Sequence, residues 1–292
     1  GLGTSVGVLY SSNTLGAAVG AIATGYLIMP ALGVVASLHL AVMINVAVAV
    51  TALLIARHQA KHNVQVESLP EITSPGTAPG REQQQVDRVL GWIAIIQLTI
   101  GGFVTFGLET TFTHLLATIA GNSVYAFSLM LFAFLIGLGI GSNAARRWLN
   151  AQRELAVALL LCQALLALAL LVGVPFWDAI PRYFASFGSW LPARSFAARE
   201  LIRFLACLVI MLPPALFIGA QFPIAMEAVG RAFPAKRIVA LGIASALNTV
   251  GNILGALVVG FVLLPVLGSL STLHMLTVGC ITLAALSLPY AG

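Results

Sequence analysis

The chain has 292 residues, of which 60% are hydrophobic and only 8% charged, and its mean hydropathy is +1.02. Soluble domains usually carry about 25% charged residues, so this composition excludes a soluble globular protein and indicates an all-α integral membrane protein. The net charge of +5 does not indicate nucleic-acid binding, because the basic residues lie in short clusters at the ends of apolar runs, as membrane topology requires.

About eight apolar runs are each long enough to cross a bilayer, which takes roughly 20 helical residues. They are predicted at 4–29, 34–56, 89–112, 123–145, 155–174, 201–222, 238–264 and 269–290. A polar stretch at 57–88 separates the second run from the third and is predicted to be a cytoplasmic linker. The segment 175–199 combines Pro, Gly, aromatic and Arg residues, and it is expected to lie on the outer membrane interface.

The basic residues are distributed unequally between the two sides of the membrane. Ten lie on one side: Arg57, Lys61, Arg81, Arg88, Arg146, Arg147, Arg153, Arg231, Lys236 and Arg237. Four lie on the other: Arg182, Arg194, Arg199 and Arg203. Because basic loops stay in the cytoplasm, the first side is predicted to be cytoplasmic and to hold both ends of the chain.

The first and seventh apolar runs resemble each other when they are aligned without a gap. Ten positions are identical between Gly7–Gly33 and Gly242–Gly268. Six crossings separate the copies, so both run in the same direction, as in the parallel repeats of major-facilitator transporters. We therefore expect the last two helices of a first unit at 1–56, a complete six-helix unit at 89–292, and about four helices before residue 1.

Each copy carries a GxxxG motif beside an Asn. The residues concerned are Asn13, Gly16 and Gly20 in the first copy, and Asn248, Gly251 and Gly255 in the second. Glycines four apart allow close helix packing, and a nearby Asn can form a hydrogen bond across that contact. The alternative is that the two Asn residues form a polar wall of a cavity.

Glu109 is the most informative charge in the apolar runs. Carboxylates at membrane depth are rare and usually face a cavity or a partner, so Glu109 is a candidate for binding a cation or a proton. An interfacial carboxylate bonded to a loop is an equally good interpretation. His114, five residues later, is a second candidate near the outer surface.

Two further candidates lie in the sixth run, which contains three prolines: Pro213, Pro214 and Pro223. Proline removes a backbone donor, so this helix is expected to kink or break, and a broken helix can line a binding site. Gln221 is a candidate for a polar cavity. Glu227 either belongs to such a site or lies at the cytoplasmic surface.

Motifs for soluble catalysis are absent from the sequence, including GxSxG, the P-loop and HExxH. No catalytic residue is therefore predicted, and whether the whole protein is an enzyme stays open. The three Cys residues show no metal-ligand spacing, so no metal and no cofactor are predicted.

Three phrases together resemble the membrane region of the bacterial fused transporter and spermidine-synthase-like proteins. They are "GNSVYAFSLMLFAFLIGLGIGS" at 121–142, "FIGAQFPIAMEAVG" at 217–230, and the two "NTxGxxxGAxxxG" helices. The family's Tyr-Glu-x-x-Trp-x-Arg pattern survives here only as Glu109. The resemblance implies a major-facilitator-like fold in the bacterial inner membrane, and a cytoplasmic aminopropyltransferase-like domain after residue 292.

Two functions follow from these observations. The first is a transporter-like membrane domain that handles polyamines or a related small cation. The second is a structural or accessory subunit that serves as an anchor in a larger membrane complex. The partners expected are the lipid bilayer, other membrane subunits and a synthase-like domain, but no nucleic acid.

Overall fold

The computed structural model describes residues 2–62, 81–150, 154–186 and 195–291. Its described part is helical and contains no strand. The α-helices are α1 (Leu2–Ala23), α2 (Met29–His62), α3 (Arg81–Ala120), α4 (Val124–Asn150), α5 (Leu155–Ser186), α6 (Phe196–Ala232), α7 (Arg237–Val258) and α8 (Leu264–Ser287). The expectation of an all-α, membrane-type chain agrees with this content.

Six helical stretches of the described part are long and apolar enough to cross a membrane. Four of them have 23 to 37 residues, but Gly7–His58 has 52 and Pro234–Tyr290 has 57. Both longer stretches are interrupted by a glycine with positive φ, at Gly33 (φ 77°) and Gly268 (φ 76°). Only glycine adopts such a conformation without steric cost, so the chain changes direction at these two points.

Each long stretch also contains a π-helical turn, a few residues before the positive-φ glycine. It spans Thr24–Ile28 between α1 and α2, and Val259–Leu263 between α7 and α8. The alignment that pairs Gly7 with Gly242 also pairs these two turns with each other, and Gly33 with Gly268. The two segments that resemble each other in sequence therefore share both departures from α-helical geometry at corresponding positions.

Close backbone contacts through glycine hold the bundle together. A Cβ at Gly141 of α4 would lie 1.9 Å from the Leu216 carbonyl oxygen of α6, and one at Gly219 would lie 2.1 Å from that of Leu138. Any side chain at either position would push α4 and α6 apart, so both glycines are required by packing.

The helices form one bundle in which α3 and α6 lie at the centre. α3 packs against α6, α7 and α8, α1 packs against α4 and α6, and α5 packs against α6 and α8. Two apolar clusters fill the interior, one around Phe112, Phe134 and Met211, the other around Ala94 and Leu159. Apart from the π-helical turn that continues directly into it, α2 has little contact with the other described helices.

Several helix boundaries differ from the expected ones. Residues 57–62 and 81–88, expected in the linker, belong to α2 and α3, while 63–80 lie outside the described residues. α5 continues through Pro175 and Pro181 to Ser186, so the first half of the expected interfacial segment is helical. Residues 187–194 of that segment lie outside the described part of the chain.

The sixth helix was expected to kink or break at its prolines, and it does not break. α6 runs from Phe196 to Ala232 with Pro213, Pro214 and Pro223 inside it. The φ of proline is compatible with a helix, and membrane helices tolerate the lost donors when neighbouring helices satisfy the freed groups. No binding site therefore forms from an interrupted backbone here.

Candidate functional site

A central cavity of about 230 Å³ lies between α1, α3, α4, α6 and α7. Its walls combine amides, hydroxyls and one carboxylate with apolar side chains. The lining residues are Tyr10, Asn13, Thr14, Ala17, Leu98, Gly101, Thr105, Phe106, Glu109, Phe134, Leu135, Leu138, Ile218, Gln221, Phe222, Asn248 and Asn252. A concave site of this kind, with a few convergent polar groups, is the usual form of a small-molecule site.

Four of the candidates predicted from sequence line this one cavity: Asn13, Glu109, Gln221 and Asn248. The other two do not. His114 lies exposed on α3 beyond the cavity. Glu227 is buried near the end of α6, where its Oε1 atom accepts a hydrogen bond of 3.0 Å from Nε of Arg231.

Glu109 is the charge that defines the chemistry of the cavity. Within the described residues its carboxylate forms no hydrogen bond and no ion pair, and the residues that line the cavity include no Lys or Arg. An isolated carboxylate in an apolar medium is costly unless it is neutralised. A bound cation or a proton would supply that neutralisation.

Glu109 shares one face of α3 with two smaller groups that also line the cavity. Gly101, Thr105 and Glu109 follow each other at intervals of four residues, which places them on one side of a helix. The Thr105 hydroxyl donates a hydrogen bond of 2.7 Å to the Gly101 carbonyl. This hydroxyl keeps its acceptor capacity, so α3 presents both a charge and polar oxygens to the cavity.

The two asparagines of the related segments meet at the same cavity. Asn13 comes from α1 and Asn248 from α7, so residues that are equivalent in the sequence repeat contribute equivalent amides from two helices. One turn after Asn248, Asn252 also lines the cavity, whereas the corresponding residue of α1 is Ala17. The polar wall is therefore larger on the α7 side.

The adjacent glycines Gly101 and Gly102 allow α3 to approach two helices at once. A Cβ at Gly101 would lie 2.7 Å from Nε2 of Gln221 on α6, and one at Gly102 would lie 2.5 Å from the Asn248 carbonyl oxygen on α7. Gln221 is also fixed in place, because its Nε2 donates a hydrogen bond of 3.0 Å to the carbonyl oxygen of Gln97. The glycine pair thus positions two of the cavity amides.

Aromatic rings form another part of the wall. Tyr10 of α1 stacks on Phe222 of α6 with the ring centroids 4.9 Å apart, and both rings line the cavity. Sequence reasoning did not identify these rings, since an aromatic residue in an apolar helix carries no signal of its own. The faces of such rings attract cations.

A second polar cluster joins the π-helical turn after α1 to α6, away from the cavity. The Tyr26 hydroxyl, in the π-helical turn, donates a hydrogen bond of 2.5 Å to Oε2 of the buried Glu200. Glu200 also pairs with Arg203, and the Tyr26 ring lies 5.1 Å from that of Tyr125 on α4. Neither Tyr26 nor Glu200 was a sequence candidate, although the spacing of Glu200 and Arg203 is that of a helical ion pair.

The described part of the chain contains no group of three His, Cys, Asp or Glu residues close enough to bind a metal ion.

Comparison with known proteins adds no assignment: no family model, no curated protein and no solved structure matches the chain. The function must be argued from the geometry of the cavity.

Proposed function

We propose that this chain is the membrane domain of a transporter that binds a small cation in its central cavity at Glu109. One observation carries the proposal: Glu109 lines the cavity, and no basic side chain accompanies it there. Ionisable groups inside membrane proteins usually mark substrate, ion or proton pathways. The cavity also supplies the amides and aromatic faces that a cation without its hydration shell needs.

The substrate class that we propose is a polyamine or a related small ammonium compound. The polyamine assignment rests on the resemblance to spermidine-synthase-like fused proteins. A primary ammonium group has three N–H donors and no acceptor, so the oxygens of Glu109, Asn13 and Asn248 suit it. The rings of Tyr10 and Phe222 suit the methylene groups between two ammonium groups.

The architecture that we propose has eight crossings in the bacterial inner membrane, with both ends of the chain in the cytoplasm. A bilayer core takes roughly 20 residues of helix, so stretches of 52 and 57 residues are each assigned two crossings that meet at Gly33 or Gly268. α3–α8 would form a major-facilitator-like six-helix unit. α1–α2 would be the end of a related unit.

A second candidate function is that of a structural subunit or membrane anchor, including an anchor for a synthase-like domain. The specific observation in its favour is the exposure of α2, where every residue of 34–57 is exposed except Ser37 and the half-buried Leu40. A long surface of this kind offers contact area to another membrane subunit. Transport activity distinguishes the two candidates.

The direct test is uptake of radiolabelled spermidine by proteoliposomes that contain the wild-type protein, Glu109→Gln or Glu154→Gln. Glu109→Gln keeps the shape of the side chain and removes its charge, so uptake should fall about 10- to 100-fold, the range for a lost charge-assisted hydrogen bond. Glu154 is exposed at the start of α5 and outside the cavity, so Glu154→Gln is the matched control and should transport normally.

Two outcomes would contradict the proposal. If the wild-type protein takes up spermidine, putrescine and inorganic cations only at background level, the transport proposal is wrong and the membrane-anchor function is favoured. Equal uptake above background by the wild type and Glu109→Gln would support transport but show that Glu109 is not the binding group. A pH-sensitive dye inside the vesicles would show whether protons move with the substrate.

A further inference from the structure

A groove of about 430 Å³ lies on the surface of the bundle between α5 and α6, and it shares no lining residue with the central cavity. Its floor is buried, since Ile180 is 4% and Ile210 is 7% exposed. Its rim is open, since Phe176 is 47% and Val209 is 58% exposed. The groove therefore faces the surroundings of the bundle and is large enough for a ligand.

Two small side chains leave the space of the groove unfilled. Ala179 of α5 and Ala206 of α6 both line it, and neither reaches far toward the other helix. Tyr183 lines one end, where its hydroxyl donates a hydrogen bond of 3.3 Å to the Ile202 carbonyl oxygen of α6. This bond holds the two helices together at the end of the groove that is nearest to the α5–α6 connection.

The walls of the groove are apolar along the rest of its length. Apart from Tyr183, all its lining side chains are hydrocarbon. α6 carries no charged residue between Arg203 and Glu227, and α5 carries none from Leu155 to Trp177. In the proposed membrane placement, lipid hydrocarbon surrounds these walls. An acyl chain is therefore the ligand that the groove accepts with no polar group to desolvate.

Positive charge borders the groove at the Tyr183 end. Arg182 follows Ala179 by three residues, so the two are neighbours on the surface of α5. Arg199 precedes Ala206 by seven residues, which is two helical turns, so it lies on the same face of α6, roughly 10 Å further along the axis. Both arginines are exposed. Each helix of the groove thus supplies one guanidinium group at the same end.

These two arginines have no anionic partner among the described residues. The described carboxylates of α6 are both engaged, Glu200 with Arg203 and Glu227 with Arg231. An anion from outside the chain can therefore bind to the two arginines. Guanidinium groups suit phosphate in particular, because their N–H groups form two parallel hydrogen bonds with its oxygens.

We infer that the groove is a binding site for one phospholipid with an anionic headgroup. An acyl chain lies in the groove between α5 and α6, and the headgroup phosphate lies between Arg182 and Arg199. In the proposed orientation this lipid belongs to the outer leaflet. The inference rests on the proposed membrane placement of the chain, but not on Glu109 or on transport, so lipid labelling and spermidine uptake can succeed or fail separately.

Photo-labelling with lipid probes tests the site. The protein is reconstituted into phosphatidylcholine vesicles with a small fraction of phosphatidylglycerol or phosphatidylcholine that carries a diazirine on one acyl chain. Peptide mass spectrometry after irradiation measures the labelling of 176–183 and 205–210. Labelling of the π-helical turn Val259–Leu263, where Phe261 is 78% exposed, is the internal reference for lipid that only surrounds the bundle.

The headgroup part of the site predicts a preference for the anionic probe. Relative to the reference, the phosphatidylglycerol probe should label the groove about tenfold more than the phosphatidylcholine probe, as charge-assisted hydrogen bonds contribute. Arg182→Gln combined with Arg199→Gln should abolish this preference. The corresponding double lysine variant should keep part of it, because lysine keeps the charge but not the paired hydrogen bonds. Arg147→Gln, exposed on α4, is the control and should label normally.

The acyl-chain part of the site predicts a steric block. Ala179→Trp should fill the groove and reduce its labelling by both probes to background, with the reference unchanged. Leu168→Trp is the matched control, because Leu168 is also exposed on α5 but lies outside the groove. Thermal unfolding followed by circular dichroism shows that each variant is folded before it is labelled.

Four results would overturn the inference. Equal relative labelling by the two probes would show that the groove holds only surrounding lipid. An unlabelled groove in the wild type, with a normally labelled reference, would show that protein covers or closes it. Wild-type labelling of the double glutamine variant would show that the arginines do not hold the headgroup. Displacement of the phosphatidylglycerol probe by excess soluble glycerol phosphate would assign the arginines to a free phosphate compound.

Discussion

A methyl group at Gly251 would meet the Thr99 carbonyl oxygen at 2.0 Å, whereas a methyl group at Gly16, its counterpart in the first copy of the repeat, would meet nothing within 4 Å. The two positions lie in segments with the same GxxxG motif, the same π-helical turn and the same positive-φ glycine. The local sequence thus determines the backbone conformation of both segments, whereas the surrounding helices determine whether each glycine is packed or exposed.

A pair of alanine substitutions at these glycines should change stability most. Gly251→Ala should destabilise the 292-residue chain by about 2–3 kcal/mol, because α3 and α7 must separate to admit the methyl group. Gly16→Ala should instead stabilise it by about 0.5–1 kcal/mol, since alanine costs less helix entropy than glycine.

Thermal unfolding in detergent, monitored by circular dichroism, measures both alanine variants against the wild type. Opposite signs would support the contrast between a closed and an open glycine face. Equal changes in Tm would show that the two glycines have the same environment in solution.

The second test concerns the Tyr26 hydroxyl and its counterpart. Tyr26→Phe removes the hydrogen bond to Glu200 and leaves a buried carboxylate oxygen without that donor, which should cost about 1–2 kcal/mol of stability. The corresponding residue, in the π-helical turn after α7, is already Phe261, which is exposed, so Phe261→Tyr should change the unfolding midpoint very little. A loss for both variants, or for neither, would contradict the assigned roles.

The two equivalent asparagines of the cavity should each make a modest contribution to ligand binding. Asn13→Leu and Asn248→Leu should each weaken spermidine binding about tenfold, since each removes one hydrogen bond to a charged group. Asn45→Leu, outside the cavity, is the control. Isothermal titration with spermidine gives the affinities, and a loss confined to one of the two asparagines would show that the amides do not act as a pair.

Composition and polar positions carried most of what could be predicted. A polar residue in an apolar helix usually faces protein or a cavity, and Asn13, Glu109, Gln221 and Asn248 do line one cavity. The same rule could not place Glu227, because a charged partner, Arg231, lies four residues later on the same helix. The function assigned to these residues remains a prediction.

Other parts of the cavity could not be predicted, because they depend on how separate helices are rotated against each other. Tyr10 and Phe222 contribute rings only because α1 and α6 meet there, and nothing local distinguishes them from other aromatic residues. Asn252 also lines the cavity, four residues after Asn248, but its counterpart in the repeat is Ala17, so the repeat gives no indication of it. The continuity of α6 through its prolines likewise depends on neighbouring helices.

The π-helical turns impose a constraint on the length of each segment. One ungapped alignment pairs Gly7 with Gly242 before the turn and Pro30 with Pro265 after it, so neither copy has gained or lost a residue relative to the other. Each residue advances an α-helix by about 100°. Deleting one residue of Thr24–Ile28 would let this turn become α-helical. Because a π-helical turn contains one residue more than the α-helical turn that it replaces, the helix after it would keep almost the same rotation relative to α1. Deleting a residue from the α-helical part of α1 would instead rotate the helix after it by about 100°.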